Sequence, residues 1–165
     1  MARSDITQSN VLTSIVAILR NALSLSDRQC FETLEPLAPP VIPKGGDFFV
    51  TVAPGEGIFV DGEQAAGNCT EEWSVIVTGH SRIVVDSADH DEKLLQDTTR
   101  GLLVLKARIL AALVGAEPTS GGNEFVRDLV FAQRAERPQA GFMKNSANVA
   151  SLSIYFGVNF DWDLT

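Results

Sequence analysis

The residues that carry most enzyme chemistry are scarce in this chain, which has two histidines, two cysteines and one tyrosine among 165 residues. That shortage leaves few ways to build a histidine-centred acid–base pair or a zinc site. Cys30 and Cys69 stand far apart and supply no disulfide framework. Positive charge is short as well: 13 Lys and Arg face 21 Asp and Glu, for a net charge of −8. Such a field repels phosphate and argues against an ordinary nucleic-acid-binding face. Long apolar runs are missing too. The most apolar stretch, residues 101–115, spans 15 residues and includes Lys106 and Arg108, whereas a membrane span needs about 20 apolar residues. The opening MARSDITQSN has no apolar signal core, so the sequon Asn68-Cys69-Thr70 carries little weight. These features predict a reduced, soluble compartment and no membrane partner.

What is present fits one α+β domain over residues 1–165. The charge imbalance is local: residues 47–92 hold ten acids and one base, Arg82, for −9, while the rest sums to +1. Ser4 or Asp5 can cap a first helix over 6–23, whose Leu12, Ile15, Val16, Leu19 and Leu23 follow helical spacing. Ser26 can start a short second helical turn that includes Cys30 and Phe31. Pro36, Pro39, Pro40 and Pro43 forbid its continuation. DFFVTVA at 47–53 reads as a strand. Residues 54–72, rich in Gly and acids, read as a long mobile loop or an extended β-arm. Residues 73–85 read as a long strand with Trp73, Val75 and Val77 on one side, and Gly79 marks a candidate bulge. Asp89 or Asp91 opens one long central helix to about 114, with Leu95, Leu102, Leu105, Ile109 and Leu113 as its core stripe. Leu103, Val104 and Leu110 lie off that stripe. Each gains about 1.5–3 kcal/mol if covered, so an exposed one invites a partner; a wide stripe inside one subunit is the alternative.

The last third carries the strongest pattern. From Ala150 to Leu164 every even position is apolar, which predicts one extended chain with one buried face. Its length exceeds the usual strand, so it is expected to bend, cross between sheets or leave the subunit. Residues 129–134 are its expected antiparallel neighbour. The order of helix, strands, long helix and strands predicts an antiparallel β-sheet with the N-terminal helix and the long central helix packed on one face.

The motifs that suggest chemistry fail on inspection. Gly55-Glu56-Gly57 begins like a dinucleotide loop, but Val60 stands where the third glycine belongs. Gly79-His80-Ser81-Arg82-Ile83 has Ile83 in place of the last glycine of a nucleophile elbow and lies in a strand. Asp86, Asp89, His90, Asp91 and Glu92 lack the spacing of a Ca²⁺ loop and suit the positive end of a helix. Cys69 stands among acids rather than beside a base and reads as an incidental thiol, and Tyr155 and Trp162 read as packing residues. No catalytic residue, cofactor or metal is expected.

Taken together, the N-terminal helix, DFFVTVA, the 54–72 arm, WSVIVTGHSRIVV, the helix after DSADHDE and the closing ASLSIYFGVNFDWDL resemble the tail terminator family of tailed bacteriophages. The resemblance is one of order and spacing, so no functional residue carries over. It implies a hexameric ring in the virion neck, assembled in the host cytoplasm. Such a ring caps the tail tube on one face and meets the head connector on the other, and DNA passes its lumen without specific binding. Candidate interface residues are Ile58, Phe59 and Val60 in the arm, and Leu103, Val104 and Leu110 on the long helix. Another neck or tail-completion subunit is the nearest alternative. A cellular α+β binding module with a ligand groove differs in class, and native mass separates the two.

Overall fold

The computed structural model describes residues 8–36, 43, 46–60, 68–82, 90–118, 129–140 and 149–163. Its elements in chain order are α1 (Gln8–Leu23), β1 (Cys30–Glu32), β2 (Phe48–Phe59), β3 (Asn68–Arg82), α2 (His90–Gln96), α3 (Leu102–Leu113), β4 (Phe131–Ala135), β5 (Gln139–Ala140) and β6 (Val149–Asp163). The strands form one mixed sheet in the order β1-β2-β3-β6-β4, with β5 also on β6. All described pairings are antiparallel except β1 with β2.

The α+β class and the helical face hold as expected. Val50, Val52, Trp73, Val75, Val77, Leu152, Ile154, Phe156, Val158 and Phe160 form one core with the buried stripes of α1 and α3. Alternation along the three long strands puts these side chains on one face, and helical spacing brings Val11, Leu12, Ile15, Val16, Leu19 and Leu23 down onto it. Gly79 makes no bulge, since the β2–β3 and β3–β6 registers run straight through it. It leaves room for the helix instead: a Cβ there would lie 3.6 Å from Leu105 and Ile109. The register shift falls between Pro54 and Gly57.

Four expectations are corrected. The single long helix is two, broken at residues 97–101. Asp97 accepts hydrogen bonds on its carboxylate from the Thr99 and Arg100 N–H groups, and on its carbonyl from Gly101 N–H. A short polar side chain that satisfies the backbone locally competes with the helix ladder. Ser26 does start a turn, its carbonyl accepting from the Gln29 and Cys30 N–H groups, but Cys30 and Phe31 then enter the parallel strand β1, which makes the sheet mixed rather than antiparallel. The loop reading of 54–72 gives way to strand at 54–59 and 68–72, where Gly57, Ile58 and Phe59 pair with Trp73, Glu72 and Glu71. Finally, β6 neither crosses between sheets nor leaves the subunit, and it pairs with β3 from Asn68↔Asp163 to Arg82↔Val149 without a register shift. Ile83, Val85, Asp86 and Asp89 lie outside the described residues.

Candidate functional site

The end of the β2–β3 hairpin is built by close backbone approach. Pro54 has no N–H to donate, and the bulge that follows brings Gly55 against Ser74, where a Cβ would lie 2.8 Å from the Ser74 carbonyl oxygen. The Glu71 carboxylate lies over Gly57, in space that any larger residue would occupy. Beyond it Ile58 stands opposite Glu72 and Phe59 opposite Glu71. The Val60 N–H donates to the Thr70 carbonyl at 2.9 Å. Alternation therefore sets Ile58 and Val60 on one face and Phe59 on the other. The base of this ribbon is anchored. Gln8 Nε2 donates to buried Glu71 at 3.0 Å, the Thr70 hydroxyl donates to Asp161 at 2.8 Å, and Trp73 meets the Phe160 ring edge-on with centroids 5.6 Å apart.

The backbone is thus paired while the apolar side chains are bare. Ile58, Phe59 and Val60 are 68%, 50% and 53% exposed. On α3, Leu103 is 45% exposed, whereas Val104 is half-buried and Leu110 packs partly against the core. Of the six residues expected at an interface, four are uncovered and two are partly absorbed by the subunit. Val114, Leu34 and Leu129 are also exposed, and the sequence reading did not single them out for exposure. Val114 could have been found as the apolar residue one position past the last helical turn. Leu34 sits in an aperiodic stretch that gave no signal.

The face of the sheet opposite the helices holds a buried polar row. His80 Nε2 lies 2.9 Å from Thr51 Oγ1, and Nδ1 lies 2.7 Å from Ser151 Oγ. Thr78 and Ser153 join their hydroxyls at 2.9 Å. The Phe49 ring stacks on the imidazole with centroids 4.4 Å apart and planes 13° apart. Burial pushes the His80 pKa down to about 3, so the ring is neutral at ordinary pH and a weak proton acceptor. Thr51 donates to the Pro36 carbonyl, and Arg82 donates to the carbonyls of Gly46 and Pro43. The chain between β1 and β2 thereby ties onto this face. Ser81, next to His80, turns to the helical face, and its buried Oγ has no hydrogen-bond partner among the described residues. The residues that resembled a nucleophile elbow therefore point to opposite sides of the sheet.

Burial raises the Cys30 thiol to about 12 despite the nearby Arg20, which leaves it protonated and unreactive. Cys69 is buried as well. Tyr155 donates to Glu136, and the Arg134 guanidinium lies 4.0 Å over its ring. The Trp162 side chain, Asp86 and Asp89 fall outside the described residues, and His90 and Glu92 lie in α2. Among the described residues no group of three or more His, Cys, Asp or Glu could hold a metal ion, and no helix is long and apolar enough to cross a membrane. No protein-family model matches the chain, and no curated protein matches it.

Proposed function

We propose that this chain is a self-associating structural subunit of a phage neck. In this reading it resembles a tail terminator and forms a ring that caps the tail tube and joins it to the head connector. The observation that carries the reading is the hairpin end, where a hydrogen-bonded ribbon presents three adjacent apolar side chains to solvent. Monomeric proteins scatter single apolar residues over their surface, whereas an ordered ribbon left apolar on both of its faces suits a contact. The local excess of acids supports the same reading, because a lumen that lets DNA slide must not grip phosphate. The long helix expected from the sequence is not needed for this role; α3 alone offers an outward apolar side. A hexameric ring within the virion follows from the resemblance. Purified tail-tube protein polymerised with and without the chain tests the capping role. Tubes of limited length, each ending in this protein, are expected, and unrestricted growth with none bound would overturn it.

A further inference from the structure

We infer that residues 31–36 form an acid-sensitive latch on the face of the sheet opposite the helices. A one-way run of hydrogen bonds through His80 closes it, and uptake of a proton by that ring opens it. The direction of the run follows from counting hydrogens. Thr51 has one hydroxyl hydrogen and gives it to the Pro36 carbonyl at 3.4 Å. Its oxygen therefore accepts at the ring, and Nε2 carries the ring hydrogen. Nδ1 is then the bare nitrogen and accepts from the Ser151 hydroxyl, 2.7 Å away. Ser151 is buried and has no other hydrogen-bond partner among the described residues. The opposite tautomer would leave its hydroxyl hydrogen unmet, at the cost of a buried orphan donor. The run from Ser151 through His80 and Thr51 to Pro36 thus joins β6, β3 and β2 to the residues that follow β1.

A protonated ring breaks this order. Both ring nitrogens then donate, so Ser151 must turn a lone pair to Nδ1 and its hydrogen loses its acceptor. No described carboxylate meets the new charge. Phe49 and Thr51 from β2, Ser151 from β6, Gln139 opposite it on β5, and Phe31 are all uncharged. The nearest charge on this face of β3 is Arg82, of like sign and committed to the Gly46 and Pro43 carbonyls. Burial accordingly acts on the ring without a compensating partner.

Residues 31–36 are the cheapest part of this cover to lift. Long ladders join β2, β3 and β6, whereas β1 pairs over three residues. Cys30 stays in place, because it is buried and its carbonyl takes the Arg20 guanidinium. Beyond Cys30 the hold is slight. Phe31 backs the Phe49 ring with centroids 6.3 Å apart, and Phe49 covers the imidazole. The Thr33 N–H donates to the Val52 carbonyl at 2.9 Å. Leu34 is 84% exposed and adds almost no apolar burial. Lifting this segment gives the ring water and bares the outer edge of β2 at Val52.

Two measurements on the full chain test this. Long-range ¹⁵N–¹H NMR at pH 7 reads the tautomer of His80: hydrogen on Nε2 is expected, and hydrogen on Nδ1 would overturn the one-way run. Amide exchange at Thr33, corrected for its intrinsic pH dependence, reads the latch. A lifted ring titrates near 6.5 and a covered one at about 3, so opening is expected to be roughly 25-fold more frequent at pH 5 than at pH 7. The exchange is expected to outpace that of the β3 amides bonded to β6 and to ignore low urea, the mark of a local opening. His80→Gln is expected to lose the pH effect. If that variant fails to fold, Thr51→Val replaces it and is expected to speed Thr33 exchange already at pH 7. Thr33 exchange that tracks global unfolding at both pH values would overturn the latch. So would a pH effect that persists in His80→Gln, or an unchanged rate in Thr51→Val.

Discussion

His80 shows how much one side chain can set. It sits at 0% exposure between two hydroxyls and under a phenyl ring. An unfolded imidazole titrates near its ordinary value of about 6.5, while the folded one stays neutral down to about 3. Between those values the unfolded chain binds a proton that the folded chain refuses, so stability falls as pH falls through that window. The slope from this one group is about 1.4 kcal/mol per pH unit. Urea melts at pH 7 and pH 5 are expected to show a smaller acid loss for His80→Gln than for wild type, even though the variant starts less stable. An equal loss in both would contradict the buried neutral ring. Alternation puts His80 on the side of β3 away from Trp73, Val75 and Val77, and that side is buried rather than solvent-facing. Ser151 and Ser153 are buried in the same way, because alternation reports polarity and not cover.

At the scale of elements, the legible parts were those with sustained periodicity. The stripe of α1, the core side of α3 and the even positions of β6 were all readable because each repeats over several turns or pleats. β1 was not, since three residues carry no period and its pairing is non-local. The break between α2 and α3 had a signal in Asp97, two threonines and Gly101, but the apolar spacing masked it. A Cβ on Gly101 would lie 2.6 Å from the backbone N and O of Asp97. Gly101→Ala is accordingly expected to cost about 1–3 kcal/mol, seen as a lower urea midpoint with an unchanged slope. An unshifted midpoint would mean that the turn yields freely.

The 54–72 segment was legible as a loop or an extended arm, and the choice between them was not, because its glycines serve close approach rather than freedom. Replacing residues 55–67 with a short Gly-Ser linker removes the outer ribbon and leaves the β3–β6 pairing from residue 68 onward intact. The fold is expected to survive with a cooperative melt, while assembly is lost. If the shortened chain assembles normally, the hairpin is no interface.

For the whole molecule, the exposure of Ile58, Phe59, Val60 and Leu103 was legible, because adjacent or off-stripe apolar residues are visible in sequence. Val104 and Leu110 were over-read because the helical core reaches further around α3 than a five-residue stripe. Charge bears on partners at this scale. With −9 concentrated in residues 47–92, duplex DNA at moderate salt is expected to run unshifted in a gel at micromolar protein, and tight binding with a steep salt dependence would contradict that. The account turns on self-association, and native mass spectrometry of the full chain over a range of concentrations tests it most directly. A discrete ring-sized species that grows with concentration is the predicted result; a strict monomer throughout, with or without tail-tube protein, would contradict the account.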